Sequence, residues 1–294
     1  MVEQPPPVTP RRIVLRRTVA VVVALVVLGA IALGVAAAVR SHRRAAPPPP
    51  PPPPPAPKPF RIVFPEGFNR REMAERVTAV DEIALRRRGV RPELSAAAYL
   101  KATSGKVRLP GFGSTRRSFE GFLFPATYDF FRNTTAKQLV RDQLDTFAEK
   151  WPEVNLAYAR RKNLTPYDVL IIASMVEKET LARKERPLVA AVIYNRLHAR
   201  MPLGIDATIR YALDVPGTES LRESQLNDPT PYNTRRHSGL PPTPIANPGL
   251  ASIEAAAHPA KVDYLYFVRK PDKIHHFFTA SYAEFRNYAD AHGY

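Results

Sequence analysis

Nine consecutive prolines, Pro47 to Pro55, divide this chain more firmly than any other feature. Proline has no backbone N–H and its ring locks φ, so the run can enter neither a helix nor a sheet interior. It is expected to form polyproline II and to continue through Pro57 and Pro59. At about 3.1 Å per residue, residues 47–59 reach roughly 40 Å. Residues 40–59 therefore read as a Pro-rich linker that separates residues 60–294 from residues 1–39. A plain low-complexity linker or an SH3-type ligand is the alternative. Either way a domain boundary falls near residue 60.

Before the linker, Thr18 to Val39 run for 22 residues without a charge. At about 1.5 Å per residue that length crosses a bilayer core. A cleaved signal peptide is the rival reading, with Ala36-Ala37-Ala38 as the cleavage site, but the apolar region of such a peptide is about 7–15 residues. Residues 18–39 are read as a transmembrane helix. Arg11, Arg12, Arg16 and Arg17 precede it and Arg40, Arg43 and Arg44 come after it. The positive-inside rule then makes residues 1–17 a cytoplasmic tail and puts the rest outside the cytoplasm.

The chain has 294 residues and a formal net charge of +16. Residues 1–59 hold eight Lys/Arg and one acid, which leaves 35 basic and 26 acidic residues, +9, after the linker. A moderately basic surface suits an anionic polymer or membrane. No helix-turn-helix, RNA-binding or zinc-finger pattern supports nucleic acid as a partner. The absence of cysteine excludes disulfides, zinc–thiolate sites and a thiol nucleophile. No His-Glu-x-x-His, Gly-x-Ser-x-Gly or P-loop pattern occurs, and His275-His276 are adjacent and face opposite ways on a strand. No metal or cofactor is expected.

The order of elements is mixed. Residues 60–67 read as a strand ending in a turn. Asn69 and Glu72 mark a helix start, with Met73, Val77, Val80, Ile83 and Leu85 as its apolar positions. A second helix is expected over 95–103. Residues 119–128 read as an extended aromatic segment. Helices are expected over 134–150, 165–180 and 186–200, then strands at 264–268 and 277–279 and a last helix. Without a regular βαβ beat the fold class is α+β.

Residues 170–180 bear most on function. An apolar helix, opened by Thr165, Pro166 and Asp168, runs into Glu177 and Glu179. Leu170, Ala173, Ser174 and Glu177 share one face, and the two small residues leave room there for a bulky ligand. Glu179 continues a more core-like face with Ile172, Met175 and Val176. A carboxyl beside apolar surface tends to keep its proton, as a general acid requires. The alternative is that both acids are charges on an exposed last turn. Downstream, the proline-dense residues 239–249 read as one rigid wall of a cleft or as an ordinary surface loop.

These residues resemble the MltG/YceG family of endolytic murein transglycosylases over about residues 60–294. The resemblance rests on Glu-Gly-Phe-Leu-Phe-Pro-Ala-Thr-Tyr at 120–128, Ile-Ala-Ser-Met-Val-Glu-Lys-Glu-Thr at 172–180, Tyr-Asn-Arg-Leu at 194–197 and Tyr-Asn-Thr at 232–234. To these are added, in order, Gly-Leu-Pro-Pro-Thr-Pro-Ile-Ala-Asn-Pro-Gly at 239–249, Ala-Ala-Ala-His-Pro-Ala at 255–260, Tyr-Leu-Tyr-Phe-Val at 264–268 and the His276/Phe278 pair. It implies a membrane-anchored protein with a small LysM-like α/β subdomain over 60–105 and an α+β catalytic domain over 106–294. It makes Glu177 the catalytic acid and base, and Glu120, Asn195, Asp206, Thr208, Tyr232, Asn233 and Thr234 substrate-binding candidates by motif match.

The implied reaction cuts the β-1,4 bond between N-acetylmuramic acid and N-acetylglucosamine within glycan strands, leaves 1,6-anhydro ends and ends the elongation of nascent strands. The implied partners are peptidoglycan strands, a membrane reached through one helix, and cell-wall synthesis enzymes. The implied place is the inner membrane, single-pass, with the catalytic domain extracytoplasmic. One loop departs from the pattern: Gly204 stands where the family has Gln, and Ala207 where it has Pro. A non-catalytic peptidoglycan-binding module and a muramidase that uses water are the alternatives.

Overall fold

The computed structural model describes residues 10–42 and 58–293. The proline run and most of the expected linker lie outside the described residues, as do residues 1–9 of the expected tail. The chain forms two compact units, Met1–Ala56 and Pro57–Tyr294. In the first, one helix, α1 (Pro10–His42), extends past the uncharged run at both ends. Its stretch Val14–Arg40, 27 residues that include an 18-residue window of mean hydropathy 3.0, is long and apolar enough to cross a membrane, as a signal sequence also would be.

The second unit begins with β1 (Phe60–Val63), α2 (Arg70–Arg88) and α3 (Ala96–Ala102), then the short β2 (Lys106–Val107) and β3 (Arg117–Ser118), β4 (Thr127–Phe130) and α4 (Ala136–Lys150). Asn69 caps α2 through a capping box with Glu72, and Gly89 ends it in the left-handed conformation. β1 pairs antiparallel with β4, Phe60 opposite Phe130 and Val63 opposite Thr127. Ile62, Phe64, Met73, Val77, Tyr99, Phe130 and Leu139 fill the core between them. This core draws β4 and α4 from beyond residue 105. The buried face of α2 is Met73, Val77, Val80 and Ala84, a spacing of one helix side. Ile83 and Leu85 flank that side and are exposed, so the apolar stripe is narrower than the sequence implies.

A second core surrounds α6 (Pro166–Glu179). Ahead of it comes α5 (Ala157–Arg161), and after it α7 (Arg186–His198), α8 (Asp206–Leu213), α9 (Glu223–Leu226), α10 (Leu250–Ala257), β5 (Tyr266–Arg269), β6 (His276–Thr279) and α11 (Tyr282–His292). α6 packs on α10, α7 and α8. Its residues Val169 to Val176 are all buried, and each large apolar side chain among them contributes about 1.5–3 kcal/mol gross. A helix buried on every side has no amphipathic face. This is why its sequence reads as a continuous apolar run. Ala126 and Leu144 pack against both cores and join them. Among the described residues, strands are confined to three two-stranded antiparallel ladders, β1–β4, β2–β3 and β5–β6, so the architecture is α+β with helices dominant.

Candidate active site

α6 is set by its ends. Thr165 and Asp168 form a capping box, Pro166 occupies the first turn, and Thr180 closes the helix in extended conformation. Glu177 therefore sits in the last turn, at the rim of the second core. Its side chain is only 6% exposed.

Four segments meet at this carboxyl. Arg186, the first residue of α7 and itself buried, donates from Nη2 to Glu177 Oε1 at 3.1 Å. The Gly249 amide, at the start of α10, donates to Oε2 at 2.9 Å. From the β1–α2 turn, a Cβ on Gly67 would lie 3.4 Å from Glu177 Cγ. The neighbouring Glu66 reaches the same Arg186 Nη2 with its Oε2 at 3.5 Å. Lys178 Nζ turns away to Gly67 O, 3.2 Å, and to Glu72, 3.7 Å. The Glu177 carboxyl group is thus held by two donors, whereas the sequence pattern alone places it against apolar surface.

The room expected beside Ala173 and Ser174 is filled by the protein itself. Ser174 Oγ accepts the Ile245 amide at 3.0 Å and donates to Ile171 O at 2.7 Å. Gly121 packs so tightly against Pro244 and Leu170 that a Cβ there would come within 2.6 Å of Pro244 Cγ. The proline-dense segment 239–249 is therefore a wall laid on α6, and the small residues of α6 admit the wall.

Asn247 connects this wall to the first core. Its Nδ2 donates to Phe68 O, 3.0 Å, and to Glu120 Oε1, 2.8 Å, while its Oδ1 accepts the amides of Gly121 and Leu123. Glu120 also accepts from the Arg70 amide, 3.0 Å, and from Tyr211 OH, 3.1 Å. Burial pushes the Glu120 carboxyl up to about 7, against the pull of those donors. Glu179, two residues past Glu177, is likewise pushed up to about 7 by burial, with Asp206 adding to the rise and Arg269 opposing it. Residues 119–123 form a turn around Gly121, whose φ is +91°, so of the extended segment expected over 119–128 only the part from Thr127 is a strand.

Asp206, Thr208, Tyr232, Asn233 and Thr234 come together in a second cluster. Thr234 Oγ1 accepts the Ile205 amide at 3.0 Å and lies 3.1 Å from Thr208 Oγ1. Asn233 Nδ2 donates to Leu226 O and Asp228 O. Asp206 pairs with Arg235 at 2.7 Å and stays partly exposed. Tyr232 OH meets Thr243 Oγ1 at 2.8 Å, and its ring lies 5.2 Å from that of Tyr211. The Gly204 amide donates to Thr234 O, and Gly204 adopts φ +64°, so the departure from the family loop is a left-handed turn.

Asn195 stands apart. Its amide holds Val262 O and Tyr264 O, each at 2.9 Å, at an open cavity of about 580 Å³ lined also by Tyr158, Tyr194 and Lys261. Arg186 and Asn195 are nine residues apart on α7, which at 100° per residue places them on opposite faces.

Sequence reasoning missed Arg186, Glu66, Asn247 and Gly249 as partners of the acids. Asn247 and Gly249 lie within the proline-dense motif at 239–249. Nothing local marks Glu66 or Arg186, which act across 111 and 9 residues of chain.

Residues 52–291 match the family model described as the YceG-like family. An endolytic murein transglycosylase of Bacillus subtilis (strain 168) is 37% identical over 155 residues, 53% of this chain and 43% of that protein. One from Streptococcus pneumoniae R6 is 40% identical over 157 residues, 52% of this chain and 28% of that protein. The chain thus spans less than half the length of the curated relatives it matches. A crystal structure of a yceG-like protein from Listeria monocytogenes superposes with a TM-score of 0.61 at 29% identity, covering 78% of this chain and 75% of that one.

Proposed function

The chain belongs to the YceG-like family, and on that premise we propose that it is an endolytic murein transglycosylase whose proton donor and acceptor is Glu177. One observation carries the proposal: the Glu177 carboxyl, almost fully enclosed, is gripped by Arg186 and the Gly249 amide where four segments converge. The name of the two bacterial relatives supports the substrate.

In the proposed reaction the Glu177 carboxyl gives its proton to the glycosidic oxygen between N-acetylmuramic acid and N-acetylglucosamine, and the bond from that oxygen to muramyl C1 breaks. The muramyl C6 hydroxyl closes on C1, and its proton passes to the Glu177 carboxylate. The acid is regenerated, no water is consumed, and the strand ends in a 1,6-anhydro ring. One carboxyl suffices because the sugar supplies the nucleophile. Hydrolytic glycosidases need two.

Asp206 and Tyr232, at the partly exposed edge of the second cluster, are proposed to meet the glycan. Glu120, Asn195, Thr208, Asn233 and Thr234 are proposed to act through the shape of the cleft walls. We further propose that α1 anchors the chain in the inner membrane, single-pass, with the second unit outside. On this reading residues 60–105 are LysM-like, residues 106–294 are catalytic, and nascent strands are cut beside the enzymes that make them. The +9 charge after the linker suits a polymer bearing lactyl-peptide carboxylates.

The test is product mass. The full chain in detergent is incubated with nascent strands or sacculi, and anhydro ends are lighter than reducing ends by one water. Glu177→Gln should still bind glycan and should lower anhydro-end formation by about 10²–10⁴-fold. Wild type that binds strands and releases nothing would be a binding module. Reducing ends would mean a muramidase that uses water.

A further inference from the structure

Arg186 serves two carboxylates. Its Nη2 lies 3.1 Å from Glu177 Oε1 and 3.5 Å from Glu66 Oε2. The acid step of the proposed reaction requires a protonated Glu177, and at that moment the buried guanidinium needs another anion. Glu66 is the anion in reach.

Gly249 shows that Glu66 is built into this position. Its φ of −73° is open to any residue, so its lack of a side chain is not a matter of backbone conformation. The space a Cβ would take is occupied by the Glu66 carboxyl. Gly249 therefore touches both acids, with its amide on Glu177 and its bare Cα against Glu66.

The other charges nearby are otherwise engaged. Lys178 of α6 faces Gly67 O and Glu72 of α2. Glu185, which precedes α7, is held by His276 of β6 at 2.7 Å. Asp206 and Arg210 of α8 and Arg269 of β5 act on Glu179, on the opposite side of α6. Glu254, the charged residue within α10, is exposed.

We propose that Glu66 is a positioning residue of the transglycosylase reaction: it holds the Arg186 guanidinium while Glu177 carries the proton, and releases it when Glu177 is ionised. This rests on the transglycosylase reading. Glu66 belongs to the turn after β1, so the first core contributes a charge to the chemistry of the second.

The test is the pH profile of anhydro-end formation by the full chain. The two carboxyl oxygens, both within reach of one nitrogen, are less than about 7 Å apart. Removing the Glu66 charge leaves Arg186 to Glu177 alone and favours its ionised form. In Glu66→Gln the alkaline limb, where the donated proton is lost, should move to lower pH by roughly half a unit to one unit. KM should be unchanged, and Glu66→Asp should restore the limb. Gly249→Ala, which displaces the Glu66 carboxyl and keeps the amide, should move the limb the same way. A limb unmoved in either variant overturns the proposal, even where the rate falls uniformly. If wild type makes no anhydro ends, the transglycosylase reading fails on that result alone. Carbon-13 titration of the Glu177 carboxyl then decides the pairing separately: Glu66→Gln lowers its midpoint if the pairing exists and leaves it in place if it does not.

Discussion

Asn247 donates its side-chain amide to Glu120 at 2.8 Å, and both residues are buried. This bond ties the wall laid on α6 to the N-terminus of α2, where Glu120 accepts the Arg70 amide. Asn247→Ala deletes four hydrogen bonds of one side chain, three of them fully buried. It should lower stability by about 3 kcal/mol or more, read as a reduced denaturation midpoint of the full chain in detergent.

Glu120 should also make stability depend on pH. Its carboxyl rises from the ordinary 4.5 to about 7 on folding, so the folded state binds the proton more tightly than the unfolded state. The resulting stabilisation is fully present below about pH 4.5 and is lost as pH rises to about 7, amounting to about 3 kcal/mol at most. Glu179 acts in the same direction. Denaturant unfolding of wild type and Glu120→Gln at pH 5 and pH 8 isolates the Glu120 part. The variant should be less stable at both, since one oxygen replaces two, and the difference between the proteins should shrink at pH 8. A constant difference would refute the assignment.

Gly121→Ala meets two obstacles, φ +91° and a Cβ 2.6 Å from Pro244 Cγ. The backbone strain and the overpacking should together cost about 3 kcal/mol or more. Thermal unfolding and soluble yield report it.

Asp206→Asn and Thr234→Ala should separate binding from scaffolding. The Asp206–Arg235 pair is exposed on both sides, so its loss should change stability by less than about 1 kcal/mol, while KM for glycan rises severalfold if Asp206 meets substrate. Thr234→Ala leaves the Ile205 amide without its acceptor and should lower stability by about 1–3 kcal/mol. Paired unfolding and kinetic measurements check both.

Arg186→Ala strands an enclosed Glu177 carboxylate. It should lower stability by about 3 kcal/mol and depress turnover more than Arg186→Lys, which keeps the charge and loses the fork. Equal effects of the two variants on stability and rate would count against the shared ion pair.

The capping boxes at Asn69–Glu72 and Thr165–Asp168 were legible because a cap is a contact between residues three apart. So were the helices they open, and the burial of α6 from its unbroken apolar run. The left-handed turn at Gly121 was not. A lone glycine inside an aromatic, strand-like segment gives no sign of the amides that Asn247 gathers 126 residues later. Ile83 and Leu85 belong to the apolar spacing of α2 and are exposed, because periodicity locates a stripe and not its width, which the packing partners of α2 decide.

By itself the sequence determined the capped helices, the uncharged helix and the family, through properties that adjacent residues carry. Which donors grip Glu177, and that Glu66 shares its arginine, was decided only by tertiary structure. Coulombic and hydrogen-bond partnerships depend on distance in space, and the β1–α2 turn, α6, α7 and the start of α10 come within 3.5 Å of one another only after both cores have formed.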